Sequence, residues 1–172
     1  VLSDRSHAFI LERVLQYGIP SHFIPVYTGP KGKKEKKDRI AYDRELSVML
    51  RKYGVDLVLL IGYMRILSPE FCEHWKNRVV NVHPSLLPDF SGGMDTDVHT
   101  AVLNANKKET GCTIHLVTPE LDAGPVILQK KCPVYENDTP ETLKKRVQTL
   151  EGSALVDVVQ DFQQNGYFST LT

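Results

Sequence analysis

The sequence predicts an α/β sandwich on a doubly wound, mainly parallel sheet. Three observations carry this expectation. Strand-like apolar runs alternate with amphipathic helical stretches along the chain. One run, Asp56-Leu57-Val58-Leu59-Leu60-Ile61-Gly62, is apolar from its second residue onward, as a strand covered on both faces requires. Helix starts are punctuated at Ser68-Pro69-Glu70 and Thr139-Pro140-Glu141, where a hydroxyl precedes proline at the first helical position.

Taken in order, Val1-Leu2-Ser3 reads as the end of a strand entering a helix over about Ser6–Tyr17. That helix carries Phe9, Ile10, Val14 and Leu15 on one side and is stopped by Gly18. His22–Tyr27 alternates and reads as a short strand, and Thr28–Lys37 as a lysine-rich loop. Arg39–Tyr53 is helical, with Leu46, Met49, Leu50 and Tyr53 three and four apart and Gly54 closing it. Further expected elements are a helix from Ser68 to about Trp75, a strand at Arg78–Asn81 and a helix at Asp97–Asn104. Strands follow at Cys112–Val117 and Val126–Val134. The last helix shows an apolar ladder of Leu143, Val147, Leu150, Ala154, Val158 and Phe162, stepping mostly by four.

The 172 residues suit one domain with a substantial core. Lys+Arg and Asp+Glu both total 21, which argues against a nucleic-acid binder, since that would need clustered excess basicity. The longest apolar stretch, Val55–Met64, is interrupted by Asp56 and is far too short to span a bilayer. Cys72, Cys112 and Cys132 are odd in number and lack metal-ligand spacing, so they read as reduced thiols of a cytoplasmic protein with no metal site. An organelle is the other location, should a targeting segment precede Val1. A chain opening at Val1 without an initiator Met reads as a fragment or processed form.

Chemistry concentrates in Asn81-Val82-His83-Pro84-Ser85-Leu86-Leu87-Pro88 and in Leu121-Asp122-Ala123-Gly124-Pro125. On an extended backbone Asn81 and His83 share one face while Val82 points inward, and Pro84 holds His83 in that geometry. Asp122 lies beside a Gly-Pro turn that can return it towards the imidazole, although an Asp there also suits a simple Asx cap of the turn. An amide donor, a proton carrier and a carboxylate are the parts of an acyl-type transfer. His115 alternates with Thr113 in its strand and reads as a structural histidine.

Over essentially the whole chain the sequence resembles the glycinamide ribonucleotide transformylases, folate-dependent formyltransferases of purine synthesis. The resemblance rests on Gly62-Tyr63-Met64-Arg65-Ile66-Leu67-Ser68-Pro69, the Asn81–Pro88 block, Gly111-Cys112-Thr113-Ile114-His115, the Leu121–Pro125 turn and Val147-Gln148-Thr149-Leu150-Glu151. It implies formyl transfer from 10-formyltetrahydrofolate to the amine of glycinamide ribonucleotide. Asn81 would polarise the formyl oxygen, His83 would act as general acid/base, and Asp122 would raise the His83 pKa. It further implies folate contacts from Arg39, Met64, Arg65, Ile66, Leu67, Asn81, Glu120, Leu121 and Asp122, and ribonucleotide contacts from Glu151 and Pro84. From the residues alone Met64, Ile66 and Leu67 equally suit a core, and Arg65 a surface ion pair. A homodimer is compatible with the family; nucleic acid and membrane are not implied as partners.

Two departures stand out. The family opens with a strand, a Gly-rich loop and a helix whose backbone amides hold the substrate phosphate. Here the chain starts at what would be the second strand, so that unit is expected to be lacking. Ser91-Gly92-Gly93-Met94-Asp95-Thr96-Asp97 is also a longer, glycine-rich version of the loop after the Asn-x-His block. The rival enzyme is formyltetrahydrofolate deformylase, with water as acceptor, and an inactive folate-binding relative is the non-enzyme alternative.

Overall fold

The computed structural model describes residues 1–28, 35–93 and 96–168. Residues 29–34 of the lysine-rich loop and 94–95 of the glycine-rich loop lie outside the described residues. The chain forms two compact units, Val1–Val55 and Asp56–Thr172.

In the first unit β1 (Leu2–Ser3) pairs in parallel with β2 (His22–Phe23), with α1 (Phe9–Leu15) between them. β3 (Tyr27–Thr28) pairs antiparallel with β4 (Glu35–Lys36). The run expected as one strand is split because Pro25 has no N–H to give a ladder. Of the apolar face expected on α1, only Val14 is buried. α2 (Arg39–Lys52) starts where Asp38 accepts from the backbone N–H groups of Ile40 and Ala41, at 3.1 and 3.3 Å. Its Tyr42 and Leu46 are buried, and the Tyr42 hydroxyl donates to the Ile24 carbonyl.

The second unit holds a four-stranded sheet in the order β5 (Val58–Leu60), β6 (Val79–His83), β7 (Glu109–Leu116), β8 (Val126–Pro133). β5 and β6 are parallel, joined through α3 (Pro69–His74), whose cap is the Ser68 hydroxyl accepting from Phe71 N–H. α4 (Thr96–Asn104) connects β6 to β7. The mixed α/β class stands, and the parallel pairing is that of β1–β2 and β5–β6. β7 runs antiparallel to both β6 and β8. The short link from Leu116 to Val126 holds no helix and is too short for a parallel crossover.

One face of this sheet buries Val80, Cys112, Ile114 and Leu116 against Val147, Ala154 and Val158 of α5 (Pro140–Asn165). The period-four ladder accounts for this. Leu143, Val147 and Ala154 are fully buried, each larger side chain contributing about 1.5–3 kcal/mol. Thr139 and Thr142 cap the helix start reciprocally, and Gly166 at φ 74° ends it. Among the described residues no helix is long and apolar enough to cross a membrane.

Candidate active site

Alternation along β6 sends Val80 and Val82 to the α5 side and Asn81 and His83 to the other. The antiparallel register then sets Asn81 opposite His115 and His83 opposite Thr113. Directly opposed residues project to the same face, so one amide, two imidazoles and one hydroxyl form a polar patch. A bulge between Ile114 and His115 moves the β8 partner from Leu128 to Val126 at this level.

Hydrogen bonds lock the segment after β6 beneath His83. Thr113 Oγ1 donates to the Ser85 carbonyl at 2.6 Å and accepts from the Leu87 N–H at 2.9 Å. Gln129 Nε2 donates to both Thr113 Oγ1 and the Leu87 carbonyl. Ser85 Oγ donates to the Asp89 carbonyl at 2.6 Å. The turn ends with Phe90 at φ 59°, its carbonyl 3.0 Å from His83 Nε2. A carbonyl only accepts, so Nε2 of His83 carries a hydrogen.

Asp122 arrives from the β7–β8 connection. The Leu116 N–H donates to the Pro125 carbonyl, closing the turn, and a Cβ at Gly124 would run into the Leu116 carbonyl oxygen. Only glycine permits that approach. Asp122 itself sits at φ 52°, a left-handed conformation that Asp tolerates. Its side chain is 6% exposed, with Oδ2 3.4 Å from His83 Nδ1 and Oδ1 3.6 Å from His115 Nε2. The Gly92 N–H donates to Oδ2 at 2.8 Å. Both imidazole distances exceed an ordinary hydrogen bond. One carboxylate therefore stands between two nearly buried imidazoles and, among the described residues, is firmly bonded only to a backbone amide. Burial pushes the His115 pKa down, opposed by its bond to the Leu116 carbonyl and by Asp122.

A family model described as formyl transferase matches residues 1–159. The chain belongs to the formyl transferase family. The phosphoribosylglycinamide formyltransferase of Escherichia coli is 43% identical over 151 residues, 88% of this chain and 66% of that protein. The chain thus spans just under two thirds of that relative's length. A solved phosphoribosylglycinamide formyltransferase from Anaplasma phagocytophilum superposes with TM-score 0.82 at 34% identity, covering 96% of this chain and 74% of the other. A formyltetrahydrofolate deformylase from Pseudomonas syringae superposes with TM-score 0.74 at 32% identity, covering 88% and 46%. The chain has the Rossmann-like formyltransferase fold.

Asn81, His83 and Asp122 are brought together within this family's fold. The register Leu60 opposite Asn81 makes the segment through Met64-Arg65-Ile66-Leu67 leave β5 at the level of that patch. Leu67 is buried, whereas Met64 and Ile66 are 60% and 55% exposed, and Leu121 beside Asp122 is 59% exposed. Glu120 is exposed, Pro84 and Arg65 are half-buried, and Glu151 is half-buried on α5. Arg39 lies exposed at the start of α2 in the first unit. Among the described residues no cluster of His, Cys, Asp and Glu is arranged to hold a metal ion. Sequence reasoning left His115 out of the site. Its alternation with Thr113 was the available signal, but only the pairing of β7 with β6 gives that signal its meaning.

Proposed function

We propose that this chain transfers the formyl group of 10-formyltetrahydrofolate to the amine of glycinamide ribonucleotide, as one formyltransferase domain of purine biosynthesis. The carrying observation is the Asp122 carboxylate facing His83 Nδ1 at 3.4 Å, with Asn81 two residues along on the same strand face. Attack of an amine on a formyl carbon gathers negative charge on oxygen and positive charge on nitrogen. Asn81 donates to the oxygen, and one such donor is worth roughly 3 kcal/mol. His83 takes the proton from the attacking nitrogen and returns it to the departing folate nitrogen. Asp122 sets a negative charge beside the imidazolium formed between those steps. Once its hydrogen has moved to Nδ1, facing Asp122, Nε2 is the lone-pair nitrogen that meets substrate, so turnover requires the Nε2–H bond to the Phe90 carbonyl to be given up.

Met64, Ile66 and Leu121 supply exposed apolar surface for the flat pteridine ring, with Arg65, Leu67 and Glu120 in the same two segments. Arg39 serves the folate, and Glu151 and Pro84 the ribonucleotide. The relatives named phosphoribosylglycinamide formyltransferase support the ribonucleotide as acceptor, and the neighbour named formyltetrahydrofolate deformylase supports a formylfolate donor. No metal takes part, the working location is the cytoplasm or an organelle, and a homodimer is compatible with the reading. The test is to mix the protein with 10-formyltetrahydrofolate, with and without glycinamide ribonucleotide, and follow folate absorbance. Turnover that depends on the ribonucleotide is the expected result. The deformylase neighbour makes water the second acceptor to weigh, and formyl loss at the same rate without the ribonucleotide would favour it.

A further inference from the structure

His115 has no part in the chemistry above, yet it is 3% exposed and touches two of the three residues that do. Its ring nitrogens have different neighbours. Nδ1 lies 2.9 Å from the Leu116 carbonyl, and Nε2 lies 3.2 Å from Nδ2 of Asn81. A carbonyl oxygen only accepts and an amide nitrogen only donates. Nδ1 therefore carries the hydrogen, Nε2 holds a lone pair, and the ring is the neutral Nδ1–H tautomer. The bond also fixes the amide: nitrogen towards β7, with one N–H spent on His115. Asn81 Nδ2 keeps a second N–H, which has no other partner among the described residues.

Building on the proposed reaction, we infer that His115 is a positioning residue, whose unprotonated Nε2 orients the Asn81 amide so that its free N–H faces the formyl oxygen. Protonating Nε2 would oppose two donors across 3.2 Å. The amide would then flip, exchange places with its own carbonyl oxygen, and turn a lone pair where the donor had been. The ionisable groups facing His115 are Asp122, 3.6 Å away on the β7–β8 turn, and His83 on β6. Asp122 favours the ionised ring; burial and a protonated His83 oppose it. Burial comes first, so the neutral ring persists to a lower pH than an ordinary histidine allows.

Two variants separate orientation from mere filling of space. Leucine at 115 fills the site without an acceptor, whereas glutamine offers a carbonyl oxygen that does not titrate. His115→Leu is expected to lower kcat roughly 10- to 100-fold, with KM for formylfolate nearly unchanged, as for a weakened oxyanion donor. His115→Gln should recover most of that loss. It should also abolish any acid-side fall in kcat that belongs to His115. Equal losses in both variants, or a loss confined to KM or to Tm, would overturn the inference.

Nitrogen-15 NMR of the wild-type chain decides the same point without turnover. The histidine should show the Nδ1–H tautomer at about pH 6.5, where a free histidine is half protonated. The Asn81 amide protons should shift in His115→Leu. An Nε2–H tautomer or an imidazolium at that pH would overturn the inference. A wild-type chain with no ribonucleotide-dependent transfer would sink the proposed function instead, leaving these spectra to judge His115.

Discussion

Asp122 and Asp138 are the same residue in nearly the same degree of burial, their side chains 6% and 4% exposed, yet the fold treats them in opposite ways. Asp138 precedes α5 and is gripped by the Arg146 guanidinium through two hydrogen bonds, at 2.6 and 2.8 Å. Tyr135 N–H and Thr142 Oγ1 complete its shell, and Arg146 stacks on the Tyr135 ring at 4.3 Å. Those hydrogen bonds from Arg146 hold the Asp138 carboxyl well below the usual carboxylate range. Among the described residues, Asp122 receives one backbone N–H and otherwise faces two imidazoles beyond bonding distance. A saturated carboxylate fixes architecture; one left partly unsatisfied beside titratable rings retains capacity to stabilise a charge that appears later. That difference, rather than burial or residue type, sets the end of the sheet assigned the proposed chemistry apart.

The comparison is tested most severely at His83. His83→Ala should lower kcat by at least about a thousandfold, within the range of general acid–base catalysis, while formylfolate affinity stays nearly intact. Unchanged kcat would remove the purpose of leaving Asp122 unsaturated. Gly124→Ala should cost roughly 3 kcal/mol and reduce activity as well, because the new Cβ meets the Leu116 carbonyl and must shift the turn that carries Asp122. Chemical denaturation with parallel assays would show it, and a stable, fully active variant would mean the turn does not place the carboxylate.

Asp122→Asn preserves shape and an acceptor for Gly92 but deletes the charge. It should slow turnover by roughly 10- to 100-fold, equivalent to about 1.4–2.7 kcal/mol, with Tm little altered. A large fall in Tm instead would make Asp122 a second Asp138. The smallest effect on activity belongs to Asp138→Asn. At neutral pH it should lose about 2 kcal/mol of stability with kcat unchanged. The depressed native-state pKa means this contribution is complete above the ordinary carboxylate range and fades as pH falls from there through the lower native-state value. Unfolding curves for both proteins should therefore converge in acid; a constant gap would assign the loss to packing.

Much of the fold was legible because it is written in local periodicity. The α5 ladder, the caps at Ser68 and Thr139, and the continuous apolar β5 run each depend on residues a few positions apart. The inward Val82 and the shared face of Asn81 and His83 follow from the same period of two. Strand boundaries read less well: Pro25 interrupts a run whose alternation looked unbroken, and β7 begins at Glu109, ahead of the expected Cys112. The direction of β7 and β8 was left open for a stronger reason. A buried apolar strand has the same pattern whether its neighbours run parallel or antiparallel.

By itself, then, the chain determined which atoms each segment can offer: an amide and an imidazole on one side of a strand, and a carboxylate beside a Gly-Pro turn. Spacing along an extended backbone fixes those, because alternation is a property of covalent geometry. Tertiary structure alone decided what they meet. The antiparallel register puts His115 across from Asn81, and the Gly124 close approach swings Asp122 between two rings. The meetings of Asn81 with His115 and of His83 with Asp122 join residues more than thirty positions apart. No sequence interval encodes them, since the pairing of whole strands sets them together.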